Sequence, residues 1–398
     1  MKKIVLINSV YNQGSTGRIC FELSQFFNKN GFYTKTFYGR NKNDSPDGVF
    51  FGSKLDTYLH GIKSRITDKQ GFYSKSKTKK LIRQLDDFKP DLIILHNLHG
   101  YYLNIKMLLS WINNNGVKVI SVFHDCWNFT GHCAHFSLKK CTKWVTGCHE
   151  CPAKKEYPKS ILFDNSKKNY QIKKELFSAV KDLTIVCPSN WLADLVKVSF
   201  FSSREIKVIN NGIDTNIFKK NVGAFKTTNH LENKKLILCI ANMFDEKKGL
   251  YDVVSLSEMI AENTFIVMVG QIKGKVDLPK NIIHIDRTDN IDQLVDIYSS
   301  CDVMFNPTYE DNYPTTNLEA VSCELPVVCY KTGGAIESVD SNFLVNQGDV
   351  KKAKEIIDKL FMNKIHYDFS KKAFFSKEIM FEKYLELVSE VLNKNKDK

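Results

Sequence analysis

The chain has 398 residues, 43% hydrophobic and 25% charged, with a formal net charge of +13. That length is long for one core, so two domains are expected, and the composition is that of a soluble globular protein rather than a disordered or fibrous one. No uninterrupted apolar run approaches the ~18–20 residues a membrane-spanning helix needs.

In chain order, Met1-Lys-Lys is followed by Ile4-Val-Leu-Ile7, which stops at Asn8. This is too short for the apolar region of a signal peptide. It reads as a first buried strand, Lys3–Ile7, and the chain is expected to be cytoplasmic. Asn8-Ser-Val-Tyr-Asn-Gln-Gly-Ser-Thr-Gly-Arg18 then reads as a strand-to-helix turn. Gly14 and Gly17 let backbone approach a ligand there, but the spacing is not the dinucleotide fingerprint. A helical pattern spans Gly17–Phe27 and a strand Tyr33–Tyr38. Next comes the densest basic segment, Lys63, Arg65, Lys69, Lys75, Lys77, Lys79, Lys80 and Arg83, interleaved with Ile66, Phe72 and Tyr73. A solvated face is the ordinary reading. Contact with an anionic membrane surface is the functional one, and no nucleic-acid-binding signature accompanies it.

Strand Leu92–Leu95 leads into His96-Asn-Leu-His-Gly-Tyr-Tyr102, then a helix at Ile105–Asn114. Strand Val117–Phe123 leads into His124-Asp125. A lone histidine at a strand end is usually buried and hydrogen-bonded, but His96, His99 and His124 converge on one sheet edge. Five of the eleven cysteines follow within 126–152. Cys133, Cys141, Cys148 and Cys151 end in a Cys-x2-Cys knuckle that fits a tetrahedral structural zinc. Free thiols and a redox pair are the alternatives, and Cys126, His132, His135 and His149 are further candidate ligands. Strand Leu183–Cys187 precedes Pro-Ser-Asn-Trp191, where Ser189 suits a helix cap.

After Asn211-Gly-Ile-Asp214 and a polar stretch to Asn233, the best linker candidate, the alternation restarts. Strand Lys235–Ala241 precedes Asn242-Met-Phe-Asp-Glu-Lys-Lys-Gly249 and a helix to Met259. Strands follow at Phe265–Val269, Ile282–Ile285, Val303–Asn306, Pro326–Val328 and Phe343–Val345, with a last helix at about Ser376–Lys394. Strands alternating with helices imply parallel sheets, which bind ligands at their carboxyl ends. The most informative stretch is Pro307-Thr-Tyr-Glu-Asp-Asn-Tyr-Pro-Thr-Thr-Asn-Leu-Glu-Ala320. Its carboxylates Glu310 and Glu319 flank a strand-to-helix turn whose first N–H groups suit phosphates, while a carboxylate suits a diol. Lys331-Thr-Gly-Gly-Ala-Ile-Glu337 supplies a second such turn.

Residues 301–337 resemble the donor-site block of the retaining glycosyltransferases of family 4, which have the two-Rossmann GT-B fold. The family's two glutamates have seven residues between them. Here eight separate Glu310 from Glu319, and Asp311 takes the seven-spaced place. The resemblance implies an α/β GT-B fold, two Rossmann-like domains facing a cleft. These are an acceptor domain at 1–208 with a Cys-rich insert at 126–152, a donor domain at 209–375, and a segment 376–398 packing back on the first. It implies that Glu319 binds the ribose and that Glu310 or Asp311 meets the donor sugar. Asn312, Thr315, Thr316, Gly333 and Gly334 line the donor, and Lys248 neutralises the diphosphate.

The family often has an Arg where this chain has Asn242, so half of its cationic clamp is replaced; Lys247 or Arg18 are candidates to compensate. His124 faces the donor sugar, Gly14, Gly17 and Arg18 touch donor phosphates or acceptor, and His96, His99, Tyr101 and Trp127 lie on the acceptor side. The insert resembles a subset from surface-polysaccharide pathways of capsule, O-antigen, lipopolysaccharide or colanic-acid type.

The implied activity is transfer of a hexose from a nucleotide-sugar donor, with retention, to a saccharide acceptor that is lipid-linked. No catalytic cofactor is expected, since no Asp-x-Asp motif is present; zinc would be structural. The expected partners are the donor, the acceptor and, peripherally, the inner face of the cell membrane, with no nucleic acid. The alternatives are a nucleotide-sugar epimerase of the same architecture and a non-catalytic, zinc-clipped membrane scaffold.

Overall fold

A computed structural model describes residues 1–43, 45 and 47–394. The chain forms two compact units, one of Met1–Ile209 together with Phe381 onward, the other of Asn210–Met380.

The first unit is built on seven strands, β1 Lys3–Asn8, β2 Tyr33–Tyr38, β3 Gly48–Phe50, β4 Leu92–Leu95, β5 Lys118–Val122, β6 Leu183–Cys187 and β7 Glu205–Val208. They lie side by side in the order β3-β2-β1-β4-β5-β6-β7, all parallel. Strand β4 is buried along its whole length, because helices cover both sheet faces; this is why it reads as an unbroken apolar run. The helices are α1 Gly14–Lys29, α2 Lys54–Thr67, α3 Lys75–Phe88, α4 Ile105–Asn115, α5 Ser166–Ala179 and α6 Asn190–Lys197. Ser189 caps α6 by accepting from Leu192 N–H at 3.2 Å.

Between β5 and α5 the Cys-rich segment forms two 3-10 turns, Trp127–Phe129 and Lys143–Val145. Its anchor is Lys173 of α5, fully buried, which donates to the carbonyls of Trp127 at 2.7 Å and Thr130 at 3.0 Å. The ammonium also sits 3.3 Å above the Trp127 ring. A second anchor is the pairing of His132 Nδ1 with Asp68, the residue that ends α2.

The second unit has six strands, β8 Lys235–Phe244, β9 Thr264–Ile272, β10 Ile282–Ile285, β11 Val303–Asn306, β12 Val327–Tyr330 and β13 Leu344–Val345. Their order is β10-β9-β8-β11-β12-β13, again all parallel. Its helices are α7 Phe225–Thr228, α8 Leu250–Met259, α9 Ile291–Ser300, α10 Thr315–Ser322 and α11 Val350–Phe361. Strand β8 runs three residues beyond its expected end at Ala241, through a bulge between Ile240 and Met243. Asn242 therefore stands in a strand, not in the turn.

The last helix, α12 Lys377–Asn393, starts in the second unit and joins the first from Phe381. Phe381 packs on Phe26 of α1, ring centroids 5.2 Å apart. Lys118 of β5 donates to the carbonyls of Val391 at 2.7 Å and Leu392 at 3.1 Å. A cation on the last carbonyls of a helix is a favourable ending.

Candidate functional site

Each sheet reverses its strand order at one point, β1/β4 in the first unit and β8/β11 in the second. Loops leaving the carboxyl ends of such strands diverge and leave room for a ligand. The residues singled out in the sequence cluster at these two points.

In the second unit the loop after β8 closes in a 3-10 turn, Glu246–Lys248, capped by Asp245, whose Oδ1 accepts from Lys247 N–H and Lys248 N–H. Gly249 ends it at φ +69°, and a Cβ there would stand 2.4 Å from Pro307 O. Only glycine allows both that backbone and that approach. The close contact joins this turn to the Pro307–Asn312 loop after β11. Tyr309 N–H donates to Lys247 O at 2.8 Å. Lys247 Nζ pairs with Glu310 at 2.7 Å and Lys248 Nζ with Asp311 at 2.6 Å. The Glu310 side chain is 3% exposed against 21% for Asp311, so the two neighbouring acids are held in different environments.

Helix α10 follows with Pro314 at its cap position and no side-chain cap. Thr315 and Thr316 form its first turn, and Glu319 lies three to four residues on, over the same face. Glu319 Oε2 accepts from Tyr298 Oη of α9 at 2.8 Å. Burial, then the Glu319 charge, raises the Tyr298 pKa, so the phenol stays a donor. Gly333 and Gly334 open the 3-10 segment after β12, beside Thr332, whose hydroxyl donates to Thr308 O at 2.7 Å. Asn312 is buried, its N–H donating to Asp311 Oδ1 at 2.9 Å.

In the first unit, Asn8 ties two strand-end loops together, donating to Val10 O at 2.8 Å and accepting from Asn97 N–H at 3.2 Å. Gly14 begins α1 at φ +61°, and Gly17 is buried against Val10. Arg18 is exposed on the first turn. His96 Nδ1 lies 3.0 Å from His124 Nε2, with the rings stacked. Burial, then His124, lowers the His96 pKa well below its ordinary value. Burial lowers that of His124 to about 4, with Asp125 pulling the other way.

His99 sits between Asp125 Oδ2 at 2.7 Å and Tyr157 Oη at 3.0 Å. Tyr101 adopts φ +64° and packs edge-on to Tyr157. His96 and Trp127 are 0% and 1% exposed, so they support this corner from beneath.

The four cysteines fold into one neighbourhood. Cys133 and Cys151 are hydrogen-bonded to each other, and Cys148 Sγ accepts from Gly131 N–H at 3.1 Å. His132 Nε2 is buried without a hydrogen-bond partner among the described residues. No three His, Cys, Asp or Glu side chains among the described residues stand so as to hold a metal ion.

Sequence reasoning missed Tyr298, Thr308, Thr332 and Tyr157. Each is common in its residue type and matters only through a partner far along the chain.

The family described as Glycosyltransferase Family 4 matches residues 16–217, and Glycosyl transferases group 1 matches residues 224–375. The chain belongs to glycosyltransferase family 4. It is 27% identical over 262 residues to WcaC of Escherichia coli (strain K12), a glycosyl transferase named for colanic acid biosynthesis, covering 62% of each protein. It is 26% identical over 160 residues to a processive diacylglycerol alpha-glucosyltransferase of Acholeplasma laidlawii, covering 36% of this chain and 47% of that one. These alignments thus span between about half and three fifths of the relatives' own lengths. The solved structure of Anabaena Alr3699/HepE in complex with UDP and glucose superposes with a TM-score of 0.70 at 13% identity, covering 98% of this chain and 100% of that one. The fold of this family 4 member is GT-B.

Proposed function

We propose that this protein transfers a hexose from a nucleotide-sugar donor, with retention, to a lipid-linked saccharide in surface polysaccharide or glycolipid assembly. The observation that carries the reading is the second unit's switch point. An uncapped helix start (Thr315, Thr316), a cation (Lys248) and a glycine pair (Gly333-Gly334) surround one strand end, with Glu319 one turn up. That set suits a nucleoside diphosphate, N–H groups and ammonium for the phosphates and carboxylate for the ribose. The family, the UDP in a structural neighbour and the relatives' names point the same way.

In the proposed step the anomeric carbon–phosphate oxygen bond breaks as the acceptor oxygen bonds to the same face. The acceptor proton passes to the departing diphosphate. Charge develops on that leaving group, and Lys248 with the preset N–H groups stabilises it without reorganising. Lys248 has three N–H bonds and three oxygen contacts, two of them at 3.3 and 3.4 Å. A phosphate oxygen can replace either long one. A neutral His124 suits hydrogen bonding to a sugar hydroxyl rather than base catalysis.

Zinc at Cys133, Cys141, Cys148 and Cys151 is a separate proposal, supported by the shared neighbourhood of the thiols and by the unsatisfied His132 Nε2. Binding would have to draw the ligands closer than they stand. Elemental analysis of the purified protein decides it.

The function is tested by screening nucleotide sugars for thermal stabilisation, then following transfer to a lipid-linked acceptor by mass spectrometry. Donor hydrolysis or epimerisation without transfer would replace the reading with the epimerase one, and no donor binding at all with the scaffold one.

A further inference from the structure

Helix α2 is packed the wrong way round for a soluble helix. Its inward face is His60, Gly61 and Ser64, all buried. Its outward face carries Leu55, Tyr58, Leu59, Ile62 and Ile66, each between 36% and 68% exposed. Their spacing is helical, three, four, seven and eleven residues from the first, so they form one stripe. By contrast α1 turns Ile19, Leu23 and Phe27 to the core. The inversion has a local cause. His60 accepts from Gly71 N–H through Nε2 at 3.2 Å and meets Ser74 Oγ through Nδ1 at 2.7 Å, which holds the polar face inward.

A second segment continues the stripe. Ile161, Leu162 and Phe163 are three consecutive apolar residues, each 58% to 62% exposed. They are fastened to the end of α2, Ile161 N–H donating to Arg65 O at 2.6 Å and Phe163 N–H to Ile66 O at 3.1 Å. Exposed apolar side chains scattered singly need no explanation, but a contiguous patch from two fastened segments does.

The charge around the patch is predominantly positive. Lys54, Lys63 and Arg65 are exposed on α2, and Lys155 and Lys159 on the approach to Ile161. Of the acids nearby, Asp164 is exposed but both its oxygens are engaged, accepting from Cys151 N–H at 2.5 Å and Ser166 N–H at 2.9 Å, and two others are half-buried. Asp56 is half-buried in the first turn of α2, and Glu156 is half-buried and 3.8 Å from Lys139. Protein interfaces are depleted of lysine at their centres. Apolar side chains edged by Lys and Arg are the composition of helices lying in the plane of an anionic bilayer.

From these observations we infer that α2 and the Ile161–Phe163 segment form a docking surface for an anionic lipid bilayer. The 14 residues of α2 would lie in the membrane plane, the apolar stripe entering the acyl boundary and the cations meeting headgroup phosphates. The docking itself does not rest on the transferase reading. Its bearing on acceptor delivery does: Tyr101, on the acceptor-side loop, packs edge-on to His60 of α2 and lies 5.8 Å from the Arg65 guanidinium.

The test is co-sedimentation of the full chain with vesicles containing phosphatidylglycerol and with vesicles of phosphatidylcholine alone. The expected result is binding to the anionic vesicles only, weakened by salt. Both Leu59→Glu/Ile62→Glu and Leu162→Ser/Phe163→Ser should weaken it by about tenfold or more, with circular dichroism and melting temperature unchanged. The loop variant keeps the test valid if the helix variant fails to fold. Three results would each overturn the inference: no preference for anionic vesicles, undiminished binding by the folded variants, or a dimer in solution that the same variants dissolve. Since no sugar donor is present, failure here is distinct from failure of the transfer assay.

Discussion

Lys248 Nζ is 2.6 Å from Asp311 Oδ2, while Lys247 Nζ is 2.7 Å from Glu310 Oε2, so consecutive lysines grip consecutive acids. The two pairs are not equivalent. Replacing Lys248 by Ala should lower turnover about 10²–10³-fold, the effect of losing about 2.7–4 kcal/mol of charge stabilisation, with the circular dichroism spectrum intact. Asp311→Asn keeps a hydrogen bond and loosens only a half-exposed ion pair of about 1 kcal/mol, so turnover should stay within about tenfold. A loss with Asp311→Asn as large as with Lys248→Ala would instead put Asp311 against the sugar. Glu310→Gln is the matching comparison.

The Tyr298 phenol orients Glu319 from the neighbouring helix. Tyr298→Phe should raise the donor KM about tenfold, the effect of losing a hydrogen bond to a charged group at about 1.5 kcal/mol, while kcat changes little. Isothermal titration with the nucleoside diphosphate alone should show the same loss. An unchanged KM would mean that Glu319 is held by its other contacts.

Gly249→Ala should destabilise the protein by more than the ~1–2 kcal/mol of a left-handed alanine, because the added Cβ also meets Pro307 O. The site should suffer with the fold, since the same contact joins the lysine turn to the acid loop. Urea denaturation and donor binding on one preparation check both effects. An alanine variant of native stability that binds donor normally would show that the two loops are not coupled.

Three histidines give the stability a pH dependence of defined sign. His60, by burial and then Lys63, is lowered to about 3, His124 to about 4, and His96 is lowered as well. An unfolded histidine titrates near pH ~6.5. Below that the unfolded chain binds protons the folded one does not, so stability falls as pH drops from ~6.5 toward 4, by up to about 1.4 kcal/mol per unit for each group. His132 opposes this. Burial disfavours its charge, but Asp68 raises its pKa, so its contribution is present at low pH and lost on raising pH through the folded value. With three groups against one, the melting temperature should be lower at pH 5 than at pH 7. His60→Gln should make that slope shallower whatever it does to the absolute value.

Much of this architecture could be read from the chain because strands buried on both faces leave unbroken apolar runs such as Leu92–Leu95, and site residues come directly after them. His96 and Glu310 were found by position, and Lys248 by the family resemblance. Strands β3 and β7 were not, since a three-residue strand and a half-buried Glu-Ile-Lys-Val carry no such run. Nor could spacing reveal Asp252, which accepts from both Tyr309 at 2.7 Å and Tyr330 at 2.9 Å and so ties the Pro307–Asn312 loop and the end of β12 to one carboxylate. The orientation of α2 was equally hidden. Periodicity shows that a helix has two faces, but only the neighbours decide which one is turned outward.

The first unit draws its last helix from the far end of the chain, where Lys118 donates to the carbonyls of Val391 and Leu392. Synthesis runs from the amino end, so the ribosome completes the whole second unit before it supplies the piece that finishes the first. Until then the α1 surface that will receive Phe381 stays uncovered. The nascent first unit therefore exposes apolar surface for longer than the second, although it is the earlier one to emerge.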